Sequence, residues 1–430
     1  MPFRIYPKIT NWQWRAKVVA WIVYDACNTV FNTGIVGLFF PLWVTTSQDG
    51  NDAHYGYAVA AAMGIVILGS PFIGRMFDVR WSRYTGLAWL TGTSAAVTIL
   101  MGALDIGLID GLVLFVLALV CLTFAELLYN AALSDVASPS EMGKIGGLGV
   151  GLGYLGSVVA VVIGLVGIDY MGFSYNFSFW TIGIVMALLA SPLIILGLRG
   201  SRQNNIGVSQ MENGVAEIRM NRPASLFSLR DSYELFKIRS VGTFLMARFW
   251  YLWMVSVGSS FGILYATQTV GMTSEDVQLV LLAALGLAIP SGFFWGKAVD
   301  RYGSIKCLIA CLCCWIVVLS LAIAVPVFDL PAASWWVIGL GAGLFYGAIW
   351  VSDRPLVVSL APADKLNSVF GMYMTVGRLG YAVGSACWPL VAVTFGWGQP
   401  AAMAVLLVCT VIAIGFMVKL YRESYGYASA

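Results

Sequence analysis

The sequence predicts an all-α membrane protein, with twelve transmembrane helices arranged as two pseudo-symmetric bundles of six. Three observations lead there. Only 10% of the 430 residues are charged and 60% are hydrophobic, whereas soluble domains carry roughly 25% charged residues. Runs of about 20 apolar residues recur along the whole chain, each long enough to cross a bilayer as a helix. A short polar pattern also occurs twice, close to half the chain length apart.

The first apolar run follows a basic start (Arg4, Lys8, Arg15, Lys17) and is too long for a cleavable signal peptide. Polar breaks then place helices at 17–43, 56–76, 84–104, 111–133, 144–168 and 177–198. After a polar stretch, six more fall at 240–267, 277–298, 305–326, 334–352, 366–392 and 399–420. With both termini in the cytoplasm, the outward loops are 44–55, 105–110, 169–176, 268–276, 327–333 and 393–398. None of them contains a Lys or Arg, although the chain has 24. They hold Asp49, Asp52, Asp105, Asp110, Asp169, Glu275, Asp276 and Asp329 instead, which is the positive-inside pattern. The domain reading follows: a cytoplasmic segment 1–16, a bundle 17–198, a linker 199–239, a bundle 240–421 and a tail 422–430. The linker carries seven basic residues, and Leu226, Leu229, Tyr233 and Phe236 share one helical face, as in a helix lying on the membrane surface.

The repeated pattern is GRMFDVRWSR, Gly74 to Arg83, after the second helix and GKAVDRYGSIK, Gly296 to Lys306, after the eighth. They lie 222 positions apart. Each reads as a loop with a glycine for close approach, then an Asp and basic residues that cap helix ends and pair with neighbours. Two copies at equivalent places imply two homologous halves. The pattern resembles the helix 2–3 loop signature of the major facilitator superfamily, Gly-x-x-x-Asp-Arg-x-Gly-Arg-Arg. The second copy fits through Gly303, while the first has Val79 at the first Arg position, with Arg80 beside it. The resemblance implies the major facilitator fold and a cytoplasmic gating motif at Gly74, Asp78, Arg80, Arg83, Gly296, Asp300 and Arg301. Within that superfamily the chain resembles the vacuolar amino-acid effluxer-like (autophagy-linked) family. The matching stretches are Tyr24 to Thr29, Leu128 to Ser157, and GLFYGAIWVSDRPLVVSLAP followed by NSVFGMYMTVGR, with Asp353 standing where that family has Ser.

Other patterns carry less. Gly151, Gly153 and Gly156 satisfy G-x-G-x-x-G, but inside an apolar helix and without a preceding strand, so close helix packing is the reading. Gly292 to Lys297 is too short for a phosphate loop. The eight cysteines, four of them between Cys307 and Cys314, read as small apolar residues rather than a metal site. His54 falls in an outward loop, where a solvated side chain is the default. No nucleophile–base pair, metal cluster or nucleotide loop suggests an enzyme, and neither cofactor nor nucleic acid is called for.

Five ionisable residues remain inside spans: Asp25, Glu126, Arg248, Arg354 and Arg378. A charge at a helix centre costs ~2.5–3.5 kcal/mol, so each must face water or a partner. Asp25 lies eight residues past Lys17, ~12 Å at 1.5 Å per residue. Glu126 and Arg248 sit at similar depth and Arg378 deeper. Asn28 and Asn32 share the face of Asp25, Tyr129 and Asn130 that of Glu126, and Tyr251 stands three after Arg248. The resemblance places these helices around a central cavity, with the acids in the first half and the bases in the second. Two readings stay open. The charges form inter-half salt bridges that close a cytoplasmic gate, or they form an amphoteric site, carboxylates for an ammonium and guanidinium for a carboxylate. Asp25 is the candidate for proton coupling, with Arg378 and Arg248 as anion-side ligands. Tyr24, Trp250, Tyr251, Tyr346 and Trp350 read as an aromatic wall or as packing. The expected function is alternating-access transport of a small polar or zwitterionic solute, amino acids first, by a monomer in a bacterial inner membrane. The alternatives are a carrier of sugars or organic anions and a non-transporting scaffold.

Overall fold

A computed structural model describes residues 11–79, 82–136, 142–208, 236–362 and 366–425. Twelve helices long and apolar enough to cross a membrane account for nearly all of it. α1 runs through Asn11–Phe31, a π-helical stretch Asn32–Phe39, one turn Phe40–Leu42 and a second π-stretch Trp43–Ser47. α2 is Asp52–Val79, α3 Arg83–Ala103 and α4 Leu108–Val136. α5 is Met142–Ile163 with a π-stretch Gly164–Tyr170, and α6 is Tyr175–Val208. α7 is Arg239–Leu264 with a π-stretch Tyr265–Thr269, α8 Ser274–Tyr302 and α9 Ser304–Val327. α10 is Trp335–Leu360, α11 Leu366–Pro389 with a π-stretch Leu390–Thr394, and α12 Gly398–Tyr425.

The packing repeats across the two halves. In the first, α1 lies on α5 and α6, α3 on α4 and α6, and α2 on α4. The second reproduces every pair: α7 on α11 and α12, α9 on α10 and α12, and α8 on α10. The π-stretches repeat as well, since Trp43–Ser47 and Tyr265–Thr269 stand 222 positions apart, the spacing of the two sequence motifs. The halves meet along α2 with α11, α5 with α8, and the far part of α1 with α7. Alternation of the helices defines two ends, here named the terminal face, where the described chain starts and stops, and the distal face.

All spans but α3 are longer than their apolar runs, because helices continue into the polar layer at their ends. Two expectations change as a result. The gating-motif stretches are helix ends rather than loops: Gly74 and Asp78 belong to α2, and Gly296, Asp300 and Arg301 to α8. Only Gly303, at φ +86°, makes the turn into α9. Arg80 lies outside the described residues. α10 also does not stop at 352 but continues through Asp353, Arg354 and Pro355 to Leu360. Asp353 is fully buried and paired, so it does not mark a helix end. Of the linker's surface-helix face, Leu226, Leu229 and Tyr233 lie outside the described residues.

Candidate functional site

The site begins with glycines. α1 and α5 pack so closely that a Cβ at Gly149 would strike the Trp21 ring, one at Gly153 the Asp25 carboxylate, and one at Gly156 the Ala26 carbonyl and Thr29 hydroxyl. Thr29 donates to the Gly153 carbonyl, and Thr33 to Ser157 at 2.7 Å. Gly153 and Gly156 of the G-x-G-x-x-G pattern are therefore a helix-packing surface, while Gly151 faces open space, and Gly153 seats Asp25 against bare backbone.

Around Asp25 the aromatic residues are mostly structure. Tyr129 stacks on Trp21 at 4.6 Å and on Tyr24 at 4.9 Å, while Tyr24 bonds Thr91. The Tyr129 hydroxyl lies beside the Asp25 carboxylate, and among the described residues the buried Oδ1 of Asn28 has no hydrogen-bond partner. Asn32, one turn on, is exposed at the start of the π-stretch. On α4, Glu126 is half-buried and Asn130 exposed.

From the second half, Arg354 is exposed and acts electrostatically on Asp25, and Glu126 does so on Arg378. Arg378 is half-buried, and its Nη2 lacks a partner. Among the described residues, none of these four charges makes an ion pair within 4 Å. They form a neutral set of two acids and two bases, each acid with a base of the other half in its field. Among the described residues, polar atoms of Asn28 and Arg378 without partners accompany them, and buried groups of that kind are normally satisfied.

Arg248 is different. It is 3% exposed and Asp353 0%, and the two form a direct ion pair. The guanidinium also donates through Nε to the Tyr373 carbonyl at 2.9 Å and through Nη1 to the Tyr251 hydroxyl at 3.2 Å. It lies over the Tyr373 ring at 3.3 Å. Gly377 leaves room for it, since a Cβ there would sit 3.3 Å from Nη2. This pair ties α7, α10 and α11 together within one half. It is neither an inter-half gate bridge nor a group facing solute, which corrects both readings of Arg248. Tyr251, as its hydrogen-bond partner, is likewise buried structure. Sequence reasoning passed over Asp353, whose only signal was a carboxylate where the resembled family has Ser.

Of the motif residues, Arg83 donates to the Ala131 carbonyl at 2.8 Å and so joins α3 to the end of α4. Arg301 lies over the Tyr302 ring at 5.3 Å. Among the described residues Asp300 is exposed and makes no ion pair, contrary to the pairing expected of it.

The polar contacts between halves are elsewhere. Trp388 Nε1 and Gln399 Nε2 donate to Asp52 Oδ2 at 2.9 and 2.8 Å, and Gln278 Nε2 donates to Asp169 Oδ2 at 2.7 Å. All belong to the distal face. No sequence signal marked them as contacts, because Asp52 and Asp169 looked like loop residues exposed to water.

Two six-helix halves meeting around unpaired charges form the architecture of a carrier. The profile of the Major Facilitator Superfamily matches residues 26–385 and 240–429. The chain belongs to the major facilitator superfamily. The uncharacterised MFS-type transporter YxiO of Bacillus subtilis (strain 168) is 21% identical over 420 residues, covering 93% of each chain. A mutant form of the nucleoside transporter NupG superposes with a TM-score of 0.70 at 13% identity, over 94% of this chain and 100% of its own. The E. coli xylose transporter XylE, in a partially occluded inward-open conformation, gives 0.69 at 14% identity over 95% and 98%. Such low identities establish the fold and not the solute. This major facilitator protein is thus an integral membrane transporter for a small-molecule solute, not an enzyme.

Proposed function

We propose that this carrier moves small polar or zwitterionic solutes, amino acids first among them, by alternating access with proton coupling at Asp25. One observation carries the reading: Asp25 and Glu126 of the first half lie in the fields of Arg354 and Arg378 of the second, and among the described residues none of the four makes an ion pair. A zwitterion supplies what each side lacks. Its ammonium suits the two carboxylates, and its carboxylate suits a planar guanidinium through paired hydrogen bonds. Asn28, Asn32, Tyr129 and Asn130 extend the acid side of the same wall. Arg354 and Arg378 are the anion-side ligands, while Arg248 and Tyr251 anchor the helices behind them. The resemblance of Tyr24 to Thr29 to the vacuolar amino-acid effluxer-like family supports the same solute class.

The bare distal loops and the basic terminal face support a cytoplasmic location for both termini, in a bacterial inner membrane. The conformer is then closed toward the outside. The bundles 17–198 and 240–421 are the moving units, 199–239 is their tether, and one chain suffices for transport. Gly74, Asp78, Arg80 and Arg83, with Gly296, Asp300 and Arg301, are the gating motif at the cytoplasmic face.

The test is solute-evoked current in proteoliposomes, with an amino-acid panel, a nucleoside and xylose, under a proton gradient imposed in each direction. Wild-type current with particular amino acids, abolished in Asp25→Asn, is the expected result. Current that persists in Asp25→Asn removes Asp25 from coupling. Responses confined to the nucleoside or the sugar reassign the solute class.

A further inference from the structure

The distal face is closed by an unusual chemistry. Asp52 is 3% exposed, bridges the first half to the second, and among the described residues pairs with no cation. Its donors are an indole and an amide. Gln399 is itself held by the far end of α7: its Nε2 also donates to Gln268 Oε1 at 2.8 Å, and Thr269 donates to its Oε1. Beneath this network an aromatic plug crosses the same boundary, with Tyr55 against Phe261 at 5.2 Å and Phe261 stacked on Trp388 at 5.0 Å. Tyr55 is fixed by its bond to the Val36 carbonyl at 2.6 Å. Gly56 lets α2 touch α11, because a Cβ there would lie 2.7 Å from the Ser385 carbonyl and 2.9 Å from Pro389. Asp169 and Gln278 repeat the arrangement where α5 meets α8, and a Cβ at Gly164 would strike Gln278. In both places the first half supplies the carboxylate and the second half the neutral donor.

We propose that Asp52, with Trp388 and Gln399, is the latch that holds the two halves closed at the distal face, with Asp169 and Gln278 as a second, weaker catch. The latch is built for release. Separating an ion pair leaves two charges to be rehydrated, and a lone buried member of a pair is costly. Opening this latch exposes one carboxylate to water and returns neutral donors to water, where net hydrogen-bond strengths are small. The π-stretches of α5 and α7 hold Asp169, Gln268 and Thr269, and that of α11 begins two residues after Trp388, in keeping with the frequent placing of π-turns at functional sites. With neutral donors, closure is also insensitive to salt, unlike contacts between exposed charges.

The test needs no solute, so it stands or falls independently of the amino-acid reading. Spin labels go on the exposed Asp105→Cys and Asp329→Cys, one on each half at the distal face, after Cys313, Cys314 and Cys387 are replaced by serine. Electron–electron distance measurements on otherwise wild-type protein should give one short population, unchanged between low and high salt. Asp52→Ala and Gln399→Leu should each raise the ratio of long to short distances at least tenfold. Adding Gln278→Leu should raise it further, and Gly56→Leu should do so by a wedge that leaves the latch groups intact. If Asp52→Ala does not fold, Gln399→Leu decides. An unchanged distribution in Gln399→Leu and Gly56→Leu, or a short population that disappears in high salt, overturns the latch.

Discussion

A buried arginine and a buried aspartate can serve transport or only hold helices together, and the contacts of Arg248 decide for the second. The guanidinium bonds the Asp353 carboxylate, the Tyr251 hydroxyl and the Tyr373 backbone carbonyl, and all of these residues are buried. Removing one partner leaves an uncompensated buried charge, a loss of about 3–5 kcal/mol. Arg248→Leu and Asp353→Leu should therefore each lower the thermal unfolding midpoint in detergent sharply, and the double Leu variant should regain most of the loss. A double variant no better than its parents would mean the charges are needed outside the pair. Gly153 makes the opposite case, since it holds no charge yet controls one. Gly153→Val should reduce transport more than tenfold in folded protein, because its side chain takes the space of the Asp25 carboxylate. Normal transport in that variant would show that Asp25 has room the packing does not suggest. Asp25, Glu126 and the three arginines were visible in the sequence because a charge in an apolar run is conspicuous. Their partners were not. Arg248 meets Asp353 across 105 positions, and only tertiary packing makes that choice.

Helix positions were legible because twenty apolar residues have one stable form in a bilayer. Helix ends were less so, since apolarity stops where the hydrocarbon stops and hydrogen bonding does not. α10 shows why. Its Asp-Arg-Pro sequence reads as a terminus, but Asp353 is paired internally and the helix runs on past Pro355. The π-stretches were invisible, since no residue pattern in the sequence marks them. Gly303 is the exception, a short-range signal with a clear physical meaning. It alone separates α8 from α9, at φ +86° and ψ 152°, a region that side chains other than hydrogen rarely occupy. Gly303→Ala should cost about 1–3 kcal/mol, read as a lower unfolding midpoint. An unchanged midpoint would mean that the turn relaxes to another geometry.

At the scale of the molecule, two kinds of symmetry act against each other. The packing of the halves is repeated pair for pair, but their chemistry is not. Carboxylates of the first half lie in the field of guanidinium groups of the second and, at the distal end, accept from its neutral amides. The sequence revealed the repeat through one motif and the charge division through five residues. It did not reveal which end was shut, because that depends on contacts between residues hundreds of positions apart. The shut end yields a prediction about access. Asn130 and Arg354 are exposed in this conformer, whereas the distal boundary is sealed by the Asp52 network. An impermeant maleimide should therefore modify Asn130→Cys and Arg354→Cys from the terminal face, in inverted membrane vesicles. In right-side-out vesicles it should modify Asp105→Cys and leave those two untouched. Reaction of Asp105→Cys only in inverted vesicles would reverse the topology. Reaction of Asn130→Cys from the distal side alone would mean that the resting carrier is open at the opposite end. Adding Asp52→Ala should make Asn130→Cys reactive from both sides, because the charges at the centre then alternate between two openings instead of waiting behind one.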